Sequence, residues 1–264
     1  MVLLALVGGW GLVRLLAPWQ QRQLARWGFV RPNFRQEAVV VGTGSLAVVV
    51  GAVVALVMGR LGAAHGTILA AAVLAFATLG MLDDQLGDRS AGGFKGHLAA
   101  LSHGRFTTGA LKALGGGLVA LLLAWWWGGA LWVVIAHALL IALSANAINL
   151  LDVRPGRALK AALPLLVVSL LTSGASWAGL VGGAIALLPE DLAGRGMLGD
   201  TGANALGAGV GIGILAFDGV WQGVFLVALI GVHLYAERHS LSALIDRHRW
   251  LRAIDNWGRP GPVP

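Results

Sequence analysis

Long apolar runs, each ended by a short polar stretch, are the dominant pattern of the chain. The runs Thr43 to Met58, Thr67 to Leu82 and Leu118 to Leu143 are too long and continuous for the helices of a soluble core. A helix that crosses a bilayer needs about 20 predominantly apolar residues. The pattern therefore predicts an all-α, polytopic integral membrane protein. Its nine predicted spans cover residues 2–17, 43–60, 66–82, 108–127, 129–147, 158–173, 174–188, 203–217 and 219–236.

The composition agrees with residence in lipid. Of the 264 residues, 57% are hydrophobic and only 12% are charged, which is atypical of a soluble domain. The 40 glycines, many inside apolar runs, allow close helix approach in lipid. There is no cysteine, which excludes disulfides and thiolate metal ligands. We expect one membrane-embedded domain over residues 1–264, with residues 1–17 retained as a helix rather than cleaved as a signal peptide.

The distribution of charge predicts the topology. The net charge of +7 would suggest nucleic acid in a soluble protein, but here the basic residues fall in short loops between apolar spans. Lys and Arg are concentrated on one side of the predicted bundle, and the positive-inside rule assigns that side to the cytosol. The amino terminus is then outside, the protein lies in the cytoplasmic (inner) membrane, and no nucleic acid is expected. The five cytosolic loops are residues 18–42, 83–107, 148–157, 189–202 and 237–264.

An acidic pair, Asp83-Asp84, stands where the third apolar run ends. Adjacent carboxylates repel each other, so they need a cation, a proton or a basic partner nearby. Solvation of a helix end with a local ion pair would also account for them. Carboxylates at a bilayer edge are seldom kept for packing, however, and we interpret the pair as catalytic.

A row of two amides and one carboxylate follows at the inner end of the fifth span. Asn146, Asn149 and Asp152 are three residues apart, so on a helix they share a face. Amide hydrogen bonds between membrane helices are the ordinary alternative explanation. The spacing favours a functional site over packing. The roles that we assign to this row are substrate contact for Asn146 and catalysis for Asp152.

The third cluster, Gly199-Asp200-Thr201-Gly202, opens the eighth span. Glycines let backbone N–H groups approach an anion, and the start of a helix adds a positive dipole. Asp200 could hold Mg²⁺ while the metal holds a diphosphate, because Mg²⁺ prefers carboxylate and carbonyl oxygens together with phosphates. An ordinary helix cap is the equally simple alternative.

The last loop contains an amphipathic segment at residues 237–257. Its basic residues, among them Arg247, His248 and Arg249, are candidates for binding substrate phosphate. They would equally suit an interfacial helix whose arginines contact lipid headgroups, and both roles can hold at once.

In order along the chain, these motifs resemble those of a known family. Asp83-Asp84, Asn146-Ala-Ile-Asn149-Leu-Leu-Asp152 and Gly199-Asp200-Thr201-Gly202 are similar to motifs of the polyprenyl-phosphate N-acetylhexosamine-1-phosphate transferases. That superfamily includes the phospho-MurNAc-pentapeptide translocase and the polyprenyl-phosphate GlcNAc-1-phosphate transferases. The resemblance implies a ten-helix membrane fold whose five cytosolic loops form the active site. It implies transfer of a sugar-1-phosphate from a UDP-sugar to a polyprenyl phosphate lipid, with release of UMP.

The resemblance also implies roles for single residues. Asn149 and Asp200 match the positions that hold Mg²⁺, with Mn²⁺ as an alternative ion. The acidic pair matches the residues near the lipid phosphate, and Asp152 matches the acid that ends the second motif. The lysine that steadies the diphosphate corresponds to Lys95 or, as the second choice, Lys112. A homodimer is allowed by the family pattern but is not required by the sequence.

The chain departs from the family pattern in three places. Pro155 stands where the second motif often continues with another acid, and Arg247-His248-Arg249 replaces a histidine-rich motif. The predicted span count also lacks a tenth helix. Two other functions therefore stay open, namely an ion- or proton-coupled transporter and a non-catalytic family member that binds a lipid phosphate. A CDP-alcohol phosphotransferase is disfavoured because its Asp-Gly-x-x-Ala-Arg motif is absent.

Overall fold

The computed structural model describes residues 1–86 and 108–260, and helices dominate this part. Its eleven α-helices are named α1 to α11 in chain order. They are Val2–Arg26, Gly44–Arg60, Gly66–Leu86, Thr108–Trp127, Leu131–Leu151, Arg157–Ser173, Ala178–Leu192, Gly199–Leu215, Gly219–Ala236, Leu241–Arg247 and Arg249–Asn256. A short 3₁₀ turn, Ala175–Trp177, separates α6 from α7. The predicted predominance of helix is confirmed.

A helix lies at each of the nine predicted spans. By length and composition, four helices of the described residues can cross a membrane, namely α1, α3, α5 and α9. Nine crossings stay a prediction. Two helices run beyond their predicted spans, since α1 continues through Pro18 to Arg26 and α3 continues to Leu86. The apolar run marks the stretch suited to lipid, whereas helical hydrogen bonding carries on into the polar residues beyond it.

Helix α8 forms the centre of the bundle. All of its residues except Asp200 are buried, and α3 and α5 are its main neighbours. Small residues make this close packing feasible, as expected for helices that associate in lipid. At Gly80 of α3, a Cβ atom would overlap the backbone carbonyl of Asp200. The end of α3 is thereby held directly against the beginning of α8, which brings two of the predicted motifs together.

A small three-stranded sheet lies beside this end of the bundle, and the all-α prediction missed it. Its strands are β1 (Val30–Pro32), β2 (Ala38–Val41) and β3 (Gly196–Met197). β1 pairs antiparallel with β2, and β2 pairs parallel with β3. Strands of two to four residues are too short to leave an alternating pattern in the sequence.

The sheet ties two predicted loops to each other. The backbone N–H groups of Thr43 and Gly44 donate to the carbonyls of Met197 and Leu198, at 3.1 and 3.2 Å. The Thr43 hydroxyl also donates to the Met197 carbonyl at 2.9 Å. These bonds fix the chain that leads into α8, and so they fix the position of its first turn.

The carboxyl-terminal helices are held against the start of α6 by a buried ionic cluster. Asp255 of α11 accepts two hydrogen bonds from Arg157, both at 2.8 Å, and two from Arg259, at 2.7 and 3.0 Å. The Lys160 ammonium donates to three carbonyls at the end of α11, at 2.6 to 3.0 Å. We call Arg157, Lys160, Asp255 and Arg259 the C-terminal clasp.

Candidate functional site

Four helix ends from distant parts of the chain meet beside the sheet. Helices α3 and α5 end there, with Asp83 and Asn149, whereas α4 and α8 begin there, with Lys112 and Asp200. Lys112 and Asp200 are 88 residues apart in sequence, yet their side chains form an ion pair. The fold therefore gathers one residue from each of the three predicted motifs around a single lysine.

The Lys112 ammonium lies at the centre of this cluster. It contacts Asp83 Oδ2 at 3.4 Å and is hydrogen-bonded to Asp200 Oδ2. The orientation of the Asn149 side-chain amide is assigned from its hydrogen-bonding neighbours. In that orientation the amide oxygen accepts a hydrogen bond from Lys112 Nζ at 2.9 Å, and the amide nitrogen donates one to Asp200 Oδ1 at 2.9 Å. Asp83 and Asp200 contact the same ammonium nitrogen, so their carboxyl groups lie close together. Two carboxyl groups so close need a proton or a cation between them.

Asp84 points to the backbone of α8 rather than to Lys112. Its Oδ1 accepts from the Asp200 N–H at 3.0 Å, and its Oδ2 accepts from the N–H and hydroxyl of Thr201, at 2.9 and 2.6 Å. The carboxylate thus satisfies donors in the first turn of α8, where negative charge is favourable. The predicted catalytic pair is therefore divided in the structure, since Asp83 faces the lysine and Asp84 anchors α8.

Asp152 caps the end of α5 and lies on the other side of the α8 start. Its carboxyl group lies near the first turn of α8, within electrostatic reach of Asp200. Burial raises the pKa of the Asp152 carboxyl well above its usual range, and the charges of Asp191, Asp200 and Asp84 raise it further. A carboxyl group in this setting favours its neutral form unless a cation is bound nearby.

Asp191 is a site residue that the sequence analysis missed. It is buried near the end of α7, and its Oδ2 accepts from the Gly156 N–H at 2.8 Å. Through that bond it holds the backbone that follows Asp152. One available signal was its place at the end of an apolar run, which it shares with the acids of the three motifs. The adjacent Pro189 and Glu190 made it resemble an ordinary loop residue.

Not every predicted residue joins the cluster. Asn146 is exposed on α5, and its amide has no hydrogen-bond partner among residues 1–86 and 108–260. Arg247, His248 and Arg249 are exposed at the junction of α10 and α11, and in the same ranges their side chains make no hydrogen bond. Lys95 lies outside the described residues. Among the residues that the structure describes, Lys112 contacts the acids.

The donor set around Lys112 suits a hard divalent cation. Asp83, Asn149 and Asp200 direct two carboxylates and one amide oxygen at one ammonium group, which marks a position where positive charge is stabilised. Mg²⁺ takes such oxygens and completes its shell with water and substrate phosphates. Within the described ranges, no group of three or more His, Cys, Asp or Glu side chains is arranged to hold a metal. The residues that could hold an ion at this position are Asp200 and Asn149, through carboxylate and amide oxygens.

The fold and the cluster define a class of protein in structural terms. It is a helical protein with helices suited to a membrane and with an acidic and amide cluster where several helix ends meet. A search against protein-family models finds no match, and a search among curated proteins also finds none.

Proposed function

We propose that this protein transfers a sugar-1-phosphate, most suitably HexNAc-1-phosphate, from a UDP-sugar to polyprenyl phosphate. The observation that carries the proposal is the convergence of Asp83, Asn149 and Asp200 on Lys112. Each residue comes from a different motif of the transferase pattern. Their meeting at one point is expected if the motifs form one site, and it has no simple cause if each acid only solvates its own helix end.

The proposed reaction exchanges one phosphorus–oxygen bond for another. An oxygen of polyprenyl phosphate attacks the phosphorus joined to the sugar. The bond from that phosphorus to the bridging oxygen of the diphosphate breaks, and UMP leaves with that oxygen and the bonding electron pair. Because the attacking oxygen is already ionised, catalysis depends mainly on positioning the reactants and neutralising charge.

The side chains divide this work between them. Asp200 and Asn149 would hold Mg²⁺, or Mn²⁺ in its place, and the bound ion would neutralise charge on the diphosphate and the leaving UMP. The Lys112 ammonium would bind diphosphate oxygens, since a charge-assisted hydrogen bond to phosphate is strong. Asp83 faces the same point and would orient the acceptor phosphate, taking its proton if it arrives monoanionic. Asp84 would act as a positioning residue through α8.

The proposal places the cluster at the cytosolic face of the cytoplasmic membrane, with nine spans and the amino terminus outside. Because the chain has no cysteine, single introduced cysteines report sidedness without background. We expect a membrane-impermeant maleimide to label Ala130→Cys in intact cells and Ala243→Cys only after lysis. Both alanines are exposed in the structure, so the two variants are matched. Labelling in the reverse order would refute the topology.

The decisive assay measures UMP release and sugar-phosphate transfer across UDP-HexNAc donors, in detergent with polyprenyl phosphate. We expect activity with at least one donor, dependent on Mg²⁺ and absent in Asp200→Ala. Full activity of Asp200→Ala with Mg²⁺ would refute the assignment of Asp200 as a metal ligand. Movement of a solute across the membrane without UMP release would instead favour the transporter.

A further inference from the structure

Helix α11 carries an apolar face that the rest of the described protein does not cover. Trp250, Ile254 and Trp257, the last of these at its cap, are 64%, 54% and 75% exposed. They follow one another at intervals of four and three residues, so they share one face of the helix. Three large apolar side chains in one exposed row are a patch rather than scattered surface residues.

The clasp fixes which way this face points. Leu251 and Asp255 form a second, protein-facing side of α11, about 100° round the helix from the apolar row. The Asp255 side chain is only 5% exposed in its contact with Arg157. Both ions of that pair are buried and bound in two-pronged geometry, so rotating the helix would leave charges unpaired at high cost. The apolar row therefore cannot turn inwards and must face its surroundings.

A basic face lies beside the apolar row. Arg249 and Arg252 are exposed on the third side of α11, and Arg247 is exposed at the end of α10. In the described ranges, the only side-chain hydrogen bond from these three arginines joins Arg252 to the Asp246 carbonyl, at 3.4 Å. Their charges are thus available to an anionic partner.

We propose that α11 lies in the headgroup region of a bilayer leaflet that contains anionic phospholipid. Trp and Ile side chains enter the boundary with the acyl chains, while the arginines extend to the phosphates, which is how interfacial amphipathic helices bind. Trp is also the residue preferred at membrane–water boundaries. The inference rests on membrane residence, not on the transferase reaction.

A second copy of the chain fits this surface less well. A two-fold contact through α11 would pair the same face with itself. Arg249 and Arg252 of the two copies would then approach their counterparts, and like charges in close contact are unfavourable. An anionic lipid surface instead complements both the apolar row and the arginines.

The test uses the full chain in nanodiscs, with a fluorophore on a single introduced cysteine. Ile254→Cys probes the apolar row, and Asn256→Cys is the matched control on the polar side of the same helix. The discs contain phosphatidylcholine with or without phosphatidylglycerol, and spin-labelled lipid quenches the fluorophore. If α11 is immersed, quenching at position 254 should exceed that at 256 by about threefold in anionic discs. Equal quenching at both positions would overturn the proposal.

The role of charge is tested first without any further substitution. Raising the salt concentration from about 0.1 M to about 1 M shortens the Debye length from about 10 to about 3 Å, so quenching at position 254 should fall. The variant Arg247→Gln, Arg249→Gln, Arg252→Gln should show the low quenching of neutral discs. If quenching at position 254 depends neither on salt nor on phosphatidylglycerol, α11 does not recognise anionic phospholipid. Weak quenching together with energy transfer between labelled copies would assign the face to a second copy instead.

Discussion

Two ionic clusters lie near the same end of the bundle, and they differ in how completely their charges are paired. In the C-terminal clasp, the single carboxylate of Asp255 accepts four hydrogen bonds from Arg157 and Arg259. In the candidate site, Lys112 faces two carboxylates, with Asp84 and Asp152 close behind. The clasp has more positive than negative charge, and the site has the opposite.

We interpret this difference as one between ions with a structural role and ions with the proposed catalytic role. A buried pair with matched geometry holds two segments together and needs nothing more. A cluster of acids around one lysine is electrostatically incomplete, because each carboxylate raises the cost of ionising the next. Such incomplete clusters occur where a ligand supplies the missing charge. The comparison therefore predicts that site substitutions change activity and clasp substitutions change stability.

The largest expected effect is on activity in Asp200→Ala. Loss of the carboxylate that faces Lys112 should lower the rate of UMP release by about a thousandfold, because it removes charge stabilisation at the reacting phosphates. Thermal unfolding should change little, since the variant also relieves repulsion from Asp83. The matched control is Asp246→Ala, an exposed acid on α10 that should keep full activity. If Asp200→Ala and Asp246→Ala are equally active, the acidic cluster has no catalytic role that the comparison could separate from a structural one.

The next effect is on stability in Asp255→Ala. Removing one partner of a buried pair leaves Arg157 uncompensated, and we expect a loss of about 3–5 kcal/mol in unfolding free energy. The double variant Arg157→Met, Asp255→Leu should recover much of this loss, because it removes both charges. Denaturant unfolding followed by circular dichroism measures these values. If Asp255→Ala is as stable as the parent, the clasp does not contribute to the free energy of unfolding.

The helical fold was largely predictable, because helices suited to a membrane appear in the sequence as long apolar runs. Each of the nine predicted spans corresponds to one helix, and the motifs meet because each stands at a helix end. The sheet was not predictable, since β2 and β3 pair residues such as Val40 and Gly196 that are far apart in sequence. Short strands carry almost no local signal of their own.

The meeting of the motifs could be expected from the sequence, but not the contacts of each residue. The sequence indicated Asp83, Asn149 and Asp200, which lie together in the structure, but it did not separate Asp84, which anchors α8, from Asp83, which faces Lys112. The preference for Lys95 over Lys112 stays a prediction, because Lys95 lies outside the described residues. The clasp was missed entirely, because Arg157 and Asp255 are 98 residues apart and each resembles an ordinary loop or surface charge. Choosing between such partners requires the three-dimensional packing.

A smaller effect is expected when Lys112 is changed to Met. The ammonium and a divalent cation compete for the same oxygens, so removing the ammonium should strengthen Mg²⁺ binding while slowing transfer. Ligand binding stabilises by RT ln(1 + [L]/Kd), about 2.7 kcal/mol at a hundredfold excess over Kd. The rise in melting temperature caused by Mg²⁺ should therefore be larger in Lys112→Met than in the parent. In Asp200→Ala it should vanish, and an unchanged rise in both variants would mean that Mg²⁺ binds elsewhere.

The smallest effect concerns pH and the clasp. Burial alone would raise the pKa of Asp255, but hydrogen bonds from Arg157 and Arg259 outweigh it and lower the pKa to about 2. A lowered pKa means that the carboxylate stabilises the folded state above the unfolded-state pKa of about 3.9. That stabilisation should be lost as the pH falls from about 4 through about 2. The protection factors of the α11 amides, which are exchange rates corrected for the intrinsic effect of pH, should fall over this window in the parent. In Asp255→Asn they should already be low at neutral pH and should lack the window, whereas an identical pH profile in both proteins would assign the transition to another group.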